Sequence, residues 1–449
     1  MMCAGKLFGV LAVLFLTNLD VMNFVFGLGW KIVIPAALWL LLCFAAFNIV
    51  PNWRKHNFSR LGIMLGGEIL IEVSIISFTL NVILEIIYLT LLFPAGKPVP
   101  SPGGILFHVL FCLFVTWLMA MNGFIRIYAS SVQMGIKWRV IFLIFWWVPI
   151  FNLIFLKKIC GIVREEYTFE TEKQKLNNIR KCSEICRTRY PVVLVHGVFF
   201  GDRKVFNYWG RIPGELMRNG AEIFYGSQQS AAATEDAALE LKENIMEIIA
   251  ETGCEKVNII AHSKGGLESR CAISQQGLAP FVASLTTVNT PHQGCAFVDW
   301  LLERVPQCIS RWISARYNGA LRKLGDTNPD FYAAVSDLTS RRCRDFNLVT
   351  PDAPGVFYQS VGSKMKGWRS APFPLNLAYI LVRFFEKEND GLVSVESMKW
   401  GSRFIMAFTP GHRGISHGDM IDLNRQNIRG FDVREFYVDI VRELKEKGF

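Results

Sequence analysis

The stretch NIIAHSKGGLES, Asn258–Ser269, decides how the second half of this chain is read. Asn258 to Ala261 extend an aliphatic run that suits a buried strand, and the residues from Leu267 suit a helix. Between them Lys264, Gly265 and Gly266 leave room only for a tight turn. Ser263 stands at that turn in the pattern small-x-Ser-x-Gly, here Ala261-His262-Ser263-Lys264-Gly265. The pattern needs small residues on both sides of the serine because the strand and helix backbones approach closely there. Five residues recur by chance, and a serine in a turn is ordinarily only that. The strand before it and the helix after it are what make Ser263 a candidate nucleophile.

Outward from this turn, strand-like and helix-like segments alternate. PVVLVHG (191–197) is a short aliphatic run ending in glycine, as expected of a buried strand. YWGRIPGELMRNG (208–220) is amphipathic, and AEIFYGS (221–227) reads as a second strand. TEDAALELKENIMEIIAETG (234–253) has acids at its start, helical apolar spacing and a terminal glycine. KVNIIAHS (256–263), LTTVNT (285–290) and GVFYQSVG (355–362) supply further strands. This alternation predicts a mostly parallel sheet with helices on both faces. Sites in such sheets lie beyond the carboxyl ends of the strands. His196–Gly197 and Ser263 both end a strand, which puts them at one rim.

The first half differs. Of 449 residues 51% are hydrophobic, 13% aromatic and only 19% charged, and the apolar excess falls within residues 1–156. Spanning a bilayer takes about 20 apolar residues as helix. Leu7–Leu28, Ile32–Val50, Leu61–Phe93, Gly104–Met121 and Val140–Leu156 qualify, which predicts an all-α transmembrane region of about five spans. The first run follows Lys6 as a signal peptide would, but no small-residue cleavage site follows it and a second run begins at once, so it reads as a retained span. Asp20 within it, His108 in the fourth run, and Glu68, Glu72 and Glu85 in the third are ionisable groups in apolar surroundings. Acids there suggest an ion or proton path; the plainer reading starts the third span near Glu72 and leaves Leu61–Ile71 as an interfacial helix.

Arg54, Lys55 and Arg60 fill one loop and Arg126, Lys137 and Arg139 another, against only Lys31 and Lys97 in the alternate loops. The positive-inside rule then places the first two loops in the cytoplasm and, after five spans, the C-terminal domain outside, although Lys157, Lys158 and Arg164 pull the other way. Residues 157–189 form a charged juxtamembrane linker, with EEYTFETEKQKLNNIRKC (165–182) either an exposed helix or a solvated connection. Residues 190–449 form one globular domain.

The net charge of +10 suits anionic lipid or nucleic acid, but no zinc spacing, RNA-binding signature or basic–aromatic stripe favours nucleic acid. The eleven cysteines show no Cys-x-x-Cys pair, so neither a metal site nor a disulfide framework is indicated. Cys308 and Cys343 could pair.

A serine nucleophile needs a base, and histidine suits it. Of seven histidines, His56 is in a membrane loop and His108 in a span. His196 precedes a loop glycine, and His262 adjoins Ser263 and would point away from it. His292, His412 and His417 remain. On parallel sheets of the α/β-hydrolase kind the order Ser, acid, His favours the last two. His417 in GISHGDMID lies after a loop glycine and before a possible helix; His412 in PGHRG is the reserve. For the acid, Asp390 in EKENDGLVSVES sits in a turn dipeptide before an apolar, strand-like run, whereas Asp352 in TPDAPG precedes its strand. An oxyanion also needs preset donors, here the main-chain N–H groups of Lys264 and Val198.

YPVVLVHGVFFGD, NIIAHSKGG, VNTPHQG, NDGLVSV and ISHGDMID, in that order, resemble the bacterial triacylglycerol lipases of α/β-hydrolase fold. The resemblance covers residues 188–449 and has no counterpart to the apolar half. It implies hydrolysis of carboxylic esters of lipids through an acyl-enzyme on Ser263, with His417 as base and Asp390 orienting it. It also implies that His292 is not the base. Ala261 stands where the family usually has glycine. The family tends to carry a structural calcium near the catalytic histidine; Asp419 occupies one matching position, the other ligands find no match, and no further cofactor is expected. Residues 295–354, with Trp300, Leu301, Leu302, Trp312 and Ile313, form an insertion that is either a lid opening on lipid or a packed cap.

The leading expectation is a membrane-anchored serine esterase or lipase, its partners a lipid or ester substrate and the bilayer. The alternatives are an acyltransferase using the same residues, and a membrane scaffold or transport protein with an inactive hydrolase fold.

Overall fold

The computed structural model describes residues 2–52, 58–92, 101–145, 149–198, 208–323 and 328–449. Arg54, Lys55, His56, Lys97 and the loop beyond Val198 therefore lie outside the described residues. The chain divides into two compact units, Met1–Lys175 and Leu176–Phe449.

The first unit is helical. Helices α1 (Met2–Thr17) and α2 (Leu19–Phe26) are bent by 58° at Asn18, and α3 (Trp30–Ile49), α4 (Arg60–Ile87) and α5 (Pro102–Ser130) follow. Among the described residues α3, α4 and α5 are each long and apolar enough to cross a membrane, with a fourth crossing if the bent pair counts as one. Ser59 and Ser101 start α4 and α5 by accepting hydrogen bonds from Gly62 N and Gly104 N. A β-carbon on Gly67 would stand 2.6 Å from Gly123 O, so glycine is what lets α4 and α5 approach backbone to backbone.

One expectation changes here. Leu61–Ile71 is not a separate interfacial helix: α4 is continuous, Glu68 is buried within it, and Arg164 donates to Glu68 Oε1 at 2.8 Å. The predicted span Val140–Leu156 runs through α6 (Gly135–Phe145) and α7 (Pro149–Arg180), and its residues 146–148 lie outside the described residues. The stretch after Glu165 is helical to Arg180, and its Glu166 is buried, accepting from Arg60 Nη1 at 2.5 Å and Ser131 Oγ at 2.6 Å. Most of the stretch beyond Glu166 is exposed or half-buried, which agrees with the exposed-helix alternative and not with a solvated connection.

The second unit is an α/β-hydrolase domain. Its strands are β1 (Val192–Val195), β2 (Ile223–Tyr225), β3 (Val257–His262), β4 (Val282–Val288), β5 (Phe357–Gly362) and β6 (Arg403–Met406), in the order β2-β1-β3-β4-β5-β6 and all parallel. Alternate residues of β1 face opposite layers, as strand geometry requires. Val192 and Leu194 pack with Ile212 and Leu216 of α8 (Ile212–Arg218) and, through the same cluster, with residues of the C-terminal helix. Val193 and Val195 pack with Leu241 and Ile245 of α9 (Thr234–Thr252) and Cys271 of α10 (Lys264–Ser274). Each such aliphatic side chain contributes roughly 1.5–3 kcal/mol by leaving water.

Among its described residues the insertion holds α11 (Ala296–Arg304), α12 (Gln307–Lys323), α13 (Phe331–Ser336) and α14 (Ser340–Val349). Beyond β5 come α15 (Leu375–Phe385), the short α16 (Val395–Met398) and α17 (Val433–Glu446), which closes the α8 side with Tyr437, Val438 and Val441. Cys308 and Cys343 are both free thiols, the first exposed and the second buried.

Candidate active site

Ser263 occupies the turn between β3 and α10 with φ 55° and ψ −131°, a left-handed backbone that non-glycine residues rarely adopt. The turn is possible because its neighbours are small. A β-carbon on Gly265 would lie 2.2 Å from His196 O, and one on Gly266 2.1 Å from Thr290 Oγ1. Gly197 lies so close that a β-carbon there would meet Ser263 Cβ at 2.8 Å. Ala261, fully buried in β3, satisfies the remaining small position. Ser263 itself is half-buried, and its N–H is held by Val288 O at 2.9 Å.

Asp390 and His417, 27 residues apart, meet at this rim: His417 Nδ1 lies 2.6 Å from Asp390 Oδ2, and His417 N donates to Asp390 O at 2.9 Å. The Asp390 carboxylate is fully buried yet well provided with donors. Its Oδ2 also accepts from Asn289 Nδ2 at 2.5 Å, and its Oδ1 accepts from Leu392 N and Val393 N at 2.9 and 2.8 Å. Those two N–H groups are therefore not available to a strand. The run after Asp390 reads as strand-like in the sequence but is a turn followed by α16, which Ser394 caps by accepting from Ser397 N. The His417 ring lies 4.5 Å, centroid to centroid, from that of His262, the residue next to Ser263.

The remaining candidates fall elsewhere. His412 is exposed, and Asp352 accepts from Trp400 Nε1. His262 is buried and turns toward Tyr208, whose hydroxyl accepts from Gly197 N at 3.0 Å and donates to His262 Nδ1 at 2.7 Å. His292 is tied to Thr287 Oγ1 at 2.9 Å and stacks on Trp400. Burial holds both imidazoles well below their ordinary value of 6.5. Burial likewise pushes the Cys186, Cys271 and Cys343 thiols up to about 12, so these thiols stay protonated at neutral pH.

The buried imidazoles give a pH dependence. The unfolded chain takes up protons on His262 and His292 as pH falls through about 6.5, whereas the native protein does not, so acid favours unfolding. Thermal midpoints between pH 7.5 and 5.5 are expected to fall, and His292→Asn to flatten that slope. An unchanged slope in the variant would remove His292 from this account.

Lys264 follows Ser263 as the first residue of α10, where a helix has no acceptor of its own for the N–H. Its side chain is fully buried, with Nζ 2.7 Å from Glu268 Oε1 and 3.0 Å from Ala232 O. Gln228 Nε2 extends this network, donating to Glu268 Oε2 at 2.9 Å and to His196 O at 3.0 Å. Val198, at the end of the turn after β1, packs with Ala231, Leu321 and Ala334, so the insertion covers it. Arg270 ties α10 to the insertion through Asn347 Oδ1 and Thr350 O, with its guanidinium 3.5 Å over Trp400; burial pulls that guanidinium down to about 10, still a cation at neutral pH.

Asn289, Tyr208 and the Gln228–Glu268 pair escape sequence reasoning. The only signal for Asn289 is its place in VNTPHQG.

Calcium does not fit at Asp419. Its Oδ1 accepts from Arg413 Nη2 at 2.7 Å and its Oδ2 from Ser416 N and Oγ, so both oxygens already face protein donors. Among the described residues no group of three or more His, Cys, Asp or Glu side chains is arranged to hold a metal.

No family model matches the chain. In sequence it is similar to a triacylglycerol lipase of Pseudarthrobacter phenanthrenivorans, 34% identical over 180 residues, which are 37% of this chain and 55% of that protein. It is also similar to a triacylglycerol lipase of Vibrio cholerae, 30% identical over 237 residues, which are 48% of this chain and 75% of that one. The solved structure of mature Bacillus licheniformis lipase aligns with 52% of this chain and 87% of its own at 22% identity and a TM-score of 0.41. The chain thus spans about half the length of the first of these relatives and three-quarters of the second. On the Vibrio cholerae match, the chain belongs to the triacylglycerol lipase family.

Proposed function

We propose that the protein is a membrane-anchored serine hydrolase that cleaves carboxylic esters of lipids. The Asp390–His417 hydrogen bond beside the strained Ser263 turn carries this reading. Ser263 Oγ attacks the ester carbonyl while His417 Nε2 takes its proton, and Asp390 holds the imidazolium through Nδ1. The carbonyl oxygen gathers negative charge against the N–H groups of Lys264 and Val198. Collapse expels the alcohol, to which His417 returns the proton. Water then attacks the acyl-enzyme by the same route, releasing the fatty acid and restoring the Ser263 hydroxyl.

The surface around the site supports a lipid substrate. Leu377, Ile380, Leu381 and Phe384 are exposed along α15, with Phe373 and Trp368 just before it. Leu375, at the start of the same helix, lies against Gly391 and Gly418, the neighbours of Asp390 and His417. An apolar face with basic Arg369 and Arg383 beside it suits a bilayer surface. The double variant Leu381→Ser, Phe384→Ser is expected to lose roughly tenfold in activity on emulsified lipid while keeping its kcat/KM on a short soluble ester. Equal losses on both substrates would place the face in the fold rather than in docking.

The apolar helices of the first unit are read as the anchor. With Val140–Leu156 as a fifth crossing, the basic loops on the cytoplasmic side place the hydrolase unit outside.

The test is labelling of the full chain by a fluorophosphonate, followed by hydrolysis rates on triglycerides, phospholipids and short esters. The reading expects labelling and measurable hydrolysis of at least one lipid ester. Absence of labelling would favour an inactive scaffold; ester formation from added alcohol outrunning hydrolysis would favour acyl transfer.

A further inference from the structure

The first unit contains two ionisable clusters with different charge balance. Glu68 and Glu72 of α4 are paired with Arg164 of α7 and Lys6 of α1, two anions with two cations. The second cluster lies toward the other end of α4. His108 of α5 places Nδ1 3.1 Å from Asp20 Oδ1 and Nε2 3.4 Å from Glu85 Oε2. Cys112 Sγ lies 3.6 Å from the same Nε2, and with a carboxylate beside each ring nitrogen a neutral imidazole would turn one lone pair toward an anion, so the ring reads as the imidazolium. Two carboxylates against one imidazolium leave one negative charge, and among the described residues neither Asp20 nor Glu85 has a salt bridge to another cation. An uncompensated charge in apolar surroundings is costly.

Two cavities meet at this cluster. One, of about 330 Å³, is lined almost wholly by apolar side chains, among them Leu11, Leu14, Phe15, Leu84 and Ile87. The other, of about 180 Å³, is lined by Asp20, Glu85, Tyr88, Gly104 and His108, and Val21, Glu85 and Tyr88 border both. The α1–α2 break lies alongside. Thr17 Oγ1 and Asn18 Nδ2 donate to Asn81 Oδ1 at 3.1 and 2.7 Å, while Asn81 Nδ2, buried one turn from Glu85, has no partner among the described residues. Broken apolar helices with polar residues at the break are where membrane proteins hold ligands.

We propose that this is a binding site for a membrane lipid with a primary-ammonium head group, its acyl chain in the apolar cavity and its ammonium on Glu85 and Asp20. A primary ammonium sets a positive charge and three N–H donors against the carboxylate oxygens, with the phosphate of an ethanolamine lipid one ethylene unit further away. A head group of net negative charge has no ammonium to offer and would be repelled by the two acids. A quaternary ammonium has no N–H to donate. The proposal rests on the first unit standing in a bilayer, and not on Ser263.

The full chain, reconstituted in nanodiscs with equal parts of ethanolamine-, choline- and glycerol-headed phospholipid, is released into detergent and its retained lipid identified by native mass spectrometry. The expected result is retention of the ethanolamine lipid, reduced about tenfold or more in Glu85→Gln. Leu11→Trp, which fills the apolar cavity and leaves every charge in place, is expected to reduce it too. Lipids retained in proportion to supply, or full retention in Glu85→Gln purified as a monodisperse, equally helical protein, would overturn the site. So would a wild type that retains nothing while Lys97→Gln retains the ethanolamine lipid, since Lys97 would then be the countercharge. Carbonate washing of membranes tests the anchor separately: a protein released by it removes the bilayer premise, whereas a protein that stays and binds no ethanolamine lipid removes only the site.

Discussion

Ser263→Ala is expected to lower kcat on a short p-nitrophenyl ester by roughly 10⁶-fold, the scale on which removing a serine nucleophile acts when its base and oxyanion donors survive. Those parts should survive. The Asp390–His417 pair makes its bonds without the serine hydroxyl, and the donors are main-chain groups of Lys264 and Val198. The turn should survive too, because alanine meets the same backbone strain at φ 55° that serine does, and Ser263 is held by its own N–H on Val288 O. The variant should therefore melt as the wild type does, lose fluorophosphonate labelling and retain only background turnover. Half the wild-type rate in a folded, unlabelled variant would end the assignment.

His417→Ala is expected to be nearly as damaging, again by roughly 10⁶-fold in kcat, and His412→Ala to be close to neutral. The two residues lie five positions apart in one loop, so the comparison separates chemistry from loop disturbance. His417 is buried and hydrogen-bonded to a fully buried carboxylate; His412 is exposed. Should the losses be reversed, the base would be His412 and the Asp390–His417 bond only structural. The residual rate in His417→Ala measures what the oxyanion donors achieve alone, typically 10³–10⁴ over water.

Most of the sheet was legible because its strands are short aliphatic runs bounded by turn residues; β6, four residues long and opening on a charged side chain, was not. Ser263, Asp390 and His417 could be nominated for a similar reason: each sits in a short local pattern, and their order along the chain narrows the choice. What could not be read depends on contacts between distant residues. Asn289 reaches Asp390 across 101 residues, and nothing around it announces that. Tyr208 lies in a stretch that reads only as amphipathic, yet its hydroxyl joins Gly197 to His262. The run after Asp390 looks like a strand because its residues prefer strands, but Asp390 Oδ1 takes the two N–H groups that a neighbouring strand would need. In the apolar half, hydropathy places α3, α4 and α5, but it reads Leu7–Leu28 as one run because it does not register the 58° bend between α1 and α2.

The small cluster of Val198, Ala231, Leu321 and Ala334 joins the insertion to the turn after β1. If α12 swings outward to admit a substrate, it withdraws support from the peptide that should receive the developing charge. Admission and activation would then be alternatives in time, with the catalyst assembled only once the door has shut behind the ester. Turnover on bulky substrates would be paced by that reassembly, and solvent viscosity would slow it more than it slows turnover of small ones.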